Sequence, residues 1–267
     1  MKFFAATALL LVCGATYASP KLYVFDCGAL TISDITEFGL QPDETPVREL
    51  FVPCYLIQHE RGLLLWDTGL PLRVAGKGRV PLEDGSMFYE RSIVDQLAAM
   101  HIQPRDLTVA FSHLHLDHAG GANAFVKSRV LMQKAEWDAA TKSNPPIFDT
   151  KLFDKLTHAK LTIIEGDYDV FGDGSVRIIY APGHTPGHQT LLVNLAQTGP
   201  ILLSGDLYHF RESRALRRVP VFNYDATASL RSIDAVEALV KETGATMWIE
   251  HDKALADTLK KAPEYYE

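Results

Sequence analysis

Ser112-His113-Leu114-His115-Leu116-Asp117-His118-Ala119-Gly120-Gly121 is the most informative stretch of the chain. Three histidines and one aspartate fall within six residues, directly after the apolar segment Leu107 to Phe111. Imidazole nitrogen and carboxylate oxygen are the ligands that zinc takes outside thiolate sites. His113 and His115 alternate with Leu114, so an extended backbone points both the same way. Asp117 and His118 follow where the chain turns toward a helix, and Gly120-Gly121 would permit a tight bend. The spacing aims two ligand pairs at two adjacent cations.

Further candidates stand downstream at the ends of apolar runs. His184 and His188 belong to Ala181-Pro182-Gly183-His184-Thr185-Pro186-Gly187-His188, after the strand pattern Val176 to Tyr180. Asp206 follows Ile201 to Leu203, and His251 follows Met247 to Ile249. Taken singly, each is a weak signal, because a lone His or Asp in a turn is more often a hydrogen-bonded turn residue than a ligand. Their shared position after a strand is how a scaffold gathers function at one rim.

The surrounding pattern alternates short strands with helices. Leu22 to Phe25, Leu50 to Gln58, Gly62 to Trp66, Val130 to Gln133, Leu161 to Ile164 and Gln189 to Val193 read as further strands. Helices are expected over Arg91 to Met100 and Lys253 to Lys261. A third is expected between an Asp225 cap and Gly244, with Leu230, Ile233, Val236 and Val240 on one face. Strands dominate early and helices enter later, which predicts an α/β (α+β) domain with mixed sheets covered by helices. Pro71 to Glu90 is polar and rich in Gly and Pro, and reads as a long loop. Met87-Phe88-Tyr89, Phe222 and Tyr224 line a substrate pocket or belong to the core. Arg211, Arg214, Arg217 and Arg218 meet a polar substrate group or form a solvated face.

The 267 residues allow one large domain, here residues 19–267. The formal charge of -7 offers nothing to attract nucleic acid. Residues 1–18 read as a secretory signal peptide: Lys2, the apolar run Phe3 to Val12, and small residues at Thr16 and Ala18. That run is too short to span a bilayer, so a periplasmic or secreted product with no integral membrane span is expected. Export leaves Cys27 and Cys54, which form a disulfide or remain two small buried thiols. His59, His101 and His158 sit in polar surroundings and are expected to be solvated.

With these residues in view, the chain resembles the metallo-β-lactamase superfamily, and within it the N-acyl homoserine lactonase-type branch. The resemblance rests on the HxHxDH cluster, the GHTPGH turn, Gly205-Asp206 and the late His251. It rests also on Pro53-Cys54-Tyr55-Leu56-Ile57 and Leu65-Trp66-Asp67-Thr68-Gly69-Leu70. It implies an αββα sandwich of two mixed sheets flanked by helices. It implies two Zn2+ ions, one held by His113, His115 and His184, the other by Asp117, His118 and His251, with Asp206 bridging. Asp67 would orient a ligand imidazole or simply form a turn, and His188 would act in support or only structurally.

The implied activity is opening of a lactone ring by a metal-bridging hydroxide, with Asp117 taking the proton. The implied partner is a small-molecule lactone or ester, and a homodimer stays open. In the lactonase branch a tyrosine shortly after the bridging aspartate donates a hydrogen bond. Here that spacing falls on His209, with Tyr208 one residue early, so either is the donor or neither is. The rivals are a glyoxalase II-type thioesterase and a β-lactamase on the same site, an iron oxidoreductase, and a zinc-storage protein. The acidic C-terminus, Asp206 and His115 count against the first three respectively. The full ligand set with Asp206 counts against the last.

Overall fold

The computed structural model describes residues 19–143 and 147–267. The signal segment read from residues 1–18 lies outside the described residues. Among the described residues no helix is long and apolar enough to cross a membrane.

Two strands open the chain, β1 (Lys21–Ile32) and β2 (Glu49–His59), paired antiparallel. β3 (Gly62–Trp66) returns along β2 after a turn at Glu60-Arg61. Alternation along β2 explains its place. Val52, Cys54 and Leu56 face one core, while Phe51, Tyr55 and Ile57 face another. Both faces are buried, so the strand reads as almost continuous apolar sequence.

The stretch read as a long loop is instead a hairpin, β4 (Arg79–Leu82) and β5 (Gly85–Phe88), whose second strand pairs with β1. Gly and Pro dilute its alternation, but Met87 is buried and Tyr89 is fully enclosed in the core. Of the alternatives for that segment, the core prevails at both positions.

The chain continues with α1 (Ile93–Ala99), β6 (Leu107–Ala110), β7 (Arg129–Gln133), α2 (Lys134–Asp138) and β8 (Lys160–Ile164). β3, β6, β7 and β8 run parallel and complete an eight-stranded mixed sheet. A second sheet of five strands holds β9 (Tyr168–Asp169), β10 (Val176–Tyr180), β11 (Gln189–Leu195), β12 (Gly199–Leu203) and β13 (Thr246–Trp248). Between β12 and β13 lie α3 (Arg211–Leu216) and α4 (Ala226–Thr243). α4 keeps its expected ends: Asp225 accepts from the N–H of Ala228, and Gly244 closes it in the left-handed conformation.

The sheets pack face to face. Leu22, Tyr55, Ile57, Leu64 and Trp66 of one meet Val176, Ile178, Leu191, Val193 and Leu203 of the other. Ile93 and Leu97 of α1 cover the outer face of the large sheet. Ile233 and Val236 of α4 cover Ile179, Leu192 and Leu202 of the small one. The layers are therefore αββα, as expected.

Two further expectations change. The last helix, α5 (Lys253–Ala256), stops well short of Lys261. Beyond it the tail turns back onto β1, where Ala262 N–H donates to Val24 and Tyr266 pairs with Leu22. Tertiary pairing overrides helical propensity there. His59 is buried rather than solvated, stacked on Phe171 with Nε2 2.9 Å from Asp173. His101 and His158 are exposed. Cys27 and Cys54 form a disulfide between β1 and β2.

Candidate metal centre

The site lies where four strands of the two sheets end together. The loop after β6 brings His113, His115, Asp117 and His118. The loop after β10 brings His184, the turn after β12 brings Asp206 and His209, and the turn after β13 brings His251. His113, His115, His184 and Asp206 offer ligand atoms within 4.8 Å of one another, and so do Asp117, His118 and His251. The carboxylate of Asp206 stands between the two groups. Its Oδ2 is 3.1 Å from His184 Nε2 and 3.4 Å from His113 Nε2. Its Oδ1 is 3.1 Å from His118 Nε2 and 2.9 Å from His251 Nε2.

Hydrogen bonds on the far side of each ring decide its tautomer. His118 Nδ1 lies 2.8 Å from Asp67 Oδ2, and His251 Nδ1 lies 2.7 Å from the carbonyl of Phe51. These acceptors have no proton to give, so each Nδ1 donates and a neutral ring turns a lone pair inward. His118 Nε2 and His251 Nε2 then face each other at 3.3 Å, both beside Asp206 Oδ1. Three acceptors converge with no donor among them, which is the electrostatic signature of a cation site. On the other side, His184 Nδ1 pairs with Asn223 Oδ1 at 2.8 Å, and its Nε2 faces His115 Nδ1 at 3.0 Å. Buried His113 Nε2 has no hydrogen-bond partner. The donor set therefore fits divalent metal.

Charge tells the same story. Burial pushes the Asp206 carboxyl up, but His209, His118, His251 and His113 hold it well below the usual range. Burial opposes protonation of His251, yet Asp206 and then Asp117 push it up to about 9. His118 rises against burial under Asp206, Asp117 and Asp67. Asp206, Asp117 and Asp67 thus focus negative charge on the space that His118 and His251 face, which favours a cation there.

Residues 47–243 match the metallo-beta-lactamase superfamily. The chain belongs to the metallo-β-lactamase superfamily. An N-acyl homoserine lactonase of Bacillus sp is 34% identical over 254 residues, covering 92% of this chain and 98% of that protein. N-acyl homoserine lactonase AttM of Rhizobium johnstonii is 34% identical with the same coverage. A solved quorum-quenching N-acyl homoserine lactone hydrolase superposes with a TM-score of 0.81 at 30% identity, over 94% of this chain and 100% of its own. Another, with N-hexanoyl-L-homoserine bound at its catalytic metal centre, gives 0.78 at 31%, over 92% and 98%.

Within this metallo-β-lactamase frame the open positions resolve. Asp67 orients a ligand loop and is more than a turn-former. Its two oxygens accept from the N–H and hydroxyl of Ser112 at 2.6 and 2.8 Å, besides pairing with His118. His188 supports Asp206: Nδ1 donates to the Ala181 carbonyl, and Nε2 accepts the Asp206 N–H at 2.9 Å. Burial pushes its pKa down to about 3, so it stays neutral.

His209 joins the centre, with Nε2 3.0 Å from Asp206 Oδ2 and its ring edge against Phe38 and Phe222. Tyr208 does not. Its hydroxyl donates to Glu237, 3.0 Å away on α4. The turn at Gly205–Leu207 points successive side chains to opposite sides. Phe222 lines the centre beside His184, whereas Tyr224 is exposed. The arginines neither bind there nor stand free: Arg211, Arg214, Arg217 and Arg218 pair with Asp252, Glu237, Asp234 and Glu44.

Gly120 also acts differently from expectation. Its φ is ordinary, but a Cβ there would come within 2.3 Å of the Pro71 backbone. Close approach, not a bend, demands glycine.

Sequence reading gave no role to Ser112, Asn223, Glu136 or Glu250. Glu250 is buried, accepts from Trp66 Nε1 and Gly205 N–H, and is pushed up to about 8, chiefly by burial. Its place beside His251 was the available clue. For Asn223 there was none, because it reaches His184 from a loop 39 residues away.

Proposed function

We propose that this chain hydrolyses lactones of the N-acyl homoserine type at a centre of two Zn2+ ions, and that it acts outside the cytoplasm. The observation that carries the reading is the convergence of His118 Nε2, His251 Nε2 and Asp206 Oδ1 as three acceptors with no donor. His113, His115 and His184 would hold one ion, Asp117, His118 and His251 the other, with Asp206 shared. When bound, such ions polarise a carbonyl and lower the pKa of water toward neutrality.

The chain's own residues supply the rest. Asp117 is the least enclosed of the carboxylates here, with a side chain 12% exposed beside His118 and His251. It takes the proton of the water that adds to the lactone carbonyl. As the ring C–O bond breaks, a proton returns to the leaving alkoxide and the hydroxy acid departs. His209 stands where a nitrogen-borne hydrogen steadies the developing oxyanion. Phe38 and Phe222 wall that side against water. The Cys27–Cys54 disulfide supports export, since such bonds persist in oxidising compartments. N-terminal sequencing of the exported protein should begin at Ser19.

A pH-stat assay of lactones with varied acyl chains, run with and without chelator, tests the activity. Chelation is expected to abolish turnover and added zinc to restore it. Hydrolysis that persists in chelator, or preferential turnover of an acyl-glutathione or a cephalosporin, would overturn the reading. His209→Phe should lower kcat roughly 10^2-fold, within the range for loss of one donor to a developing oxyanion. Tyr208→Phe should leave kcat nearly unchanged and cost about 1 kcal/mol of stability, its hydrogen bond to Glu237 being structural. Equal kinetic losses in the two variants would mean that the assignment of His209 is wrong.

A further inference from the structure

Glu136 carries a buried carboxylate that the chemistry above does not use. It lies in the first turn of α2, directly after β7, and is 1% exposed. Its Oε1 accepts the N–H of Leu114 at 2.8 Å, and its Oε2 accepts the N–H of Gly187 at 2.8 Å. Leu114 stands between His113 and His115. Gly187 lies three residues after His184. One carboxylate thus ties two ligand loops that spring from different sheets.

The bases of these loops are already joined, by Gln189 to Ser112 and Phe111. Glu136 acts further out, at the level of the ligands. The approach is tight, since a Cβ at Gly187 would lie 2.4 Å from the Glu136 backbone nitrogen. A bulkier residue there would force the loop off the carboxylate.

We propose that Glu136 is a positioning residue for one of the two ions, setting the gap across which His113 and His115 face His184. This rests on the dinuclear reading above. The chemistry of the pair of contacts selects a carboxylate. Each oxygen meets one N–H, and only the ionised group offers acceptors on both sides. Two charge-assisted hydrogen bonds, with the Thr185 hydroxyl beside them, offset part of its burial, which still pushes the carboxyl up. A glutamine would turn an NH2 toward a backbone N–H and release one loop. An aspartate would be too short to reach both. The second ion would feel neither change, because His118 and His251 take their orientation from Asp67 and the Phe51 carbonyl.

The test is a zinc titration of the metal-free full-length protein against a chromogenic chelator, with cobalt(II) absorption as a second readout. The parent is expected to fill two sites. In Glu136→Gln one site should weaken roughly 10–100-fold, the range for groups that orient metal ligands, while the other keeps its affinity. Glu136→Asp should show the same selective loss, more mildly, and covers the case in which the glutamine variant folds poorly. The cobalt bands of the weakened site should fade while the others persist. Equal weakening of both sites, or parental affinity at both, would overturn the proposal and leave the dinuclear reading intact. A parent that binds no metal would overturn both.

Discussion

Asp206→Ala is expected to abolish lactone hydrolysis, with kcat/KM falling by at least about 10^3-fold. The expectation follows from what the carboxylate touches. Its oxygens stand 2.9–3.4 Å from five imidazole nitrogens, those of His113, His184 and His209 at Oδ2 and those of His118 and His251 at Oδ1. Without it the two clusters lose their shared anion, and like-charged ions would face each other unshielded. Losing the carbonyl polarisation supplied by such a centre forfeits several kcal/mol of the barrier, and each 1.36 kcal/mol is tenfold in rate. Metal content should fall together with activity. An alanine variant that keeps both its metal and its turnover would show that Asp206 does not bridge.

Loss of the Cys27–Cys54 disulfide should have the largest effect on stability. It joins residues 27 apart in sequence, and closing a loop of that size in the unfolded chain is worth about 3 kcal/mol. For a chain of this length that corresponds to roughly 6–12 °C in Tm. Both cysteines are fully buried in the core that α1 covers. The consequence reaches the site through the backbone. The Cys27 carbonyl accepts from Leu70, and two residues back Thr68 donates to the carbonyl of His118. Cys54→Ser should therefore lower Tm and weaken binding of the ion assigned to His118. Thermal melts of the parent with and without reductant check this directly. Coincident melts would refute the stabilising role.

Certain elements could be read locally because their causes are local. The apolar run Val176 to Tyr180 is a strand with those ends, since both of its faces are covered. Asp225 and Gly244 bound α4 because capping acts within a few residues. His113, His115, His184, Asp206 and His251 announce themselves by residue type at the ends of apolar strands. Local patterns fail where the partner is remote. The hairpin at Arg79–Phe88 gains its status by pairing with β1, and the C-terminal tail leaves its helix for the same strand.

The centre divides along the same line. Chemical identity is written in the side chains, so the candidate ligand set was open to inspection along the chain. Support is not, because it is delivered mostly to and from main-chain groups, which every residue carries alike. The carbonyl of Phe51 under His251, the N–H of Leu114 and of Gly187 on Glu136, and Asn223 behind His184 have no signature in one dimension. The choice of His209 over Tyr208 belongs with them, decided by the way one short turn hands neighbouring side chains to opposite faces. Composition selected the atoms able to grip metal; only the packing of two sheets against each other determined which of them meet and what holds them still.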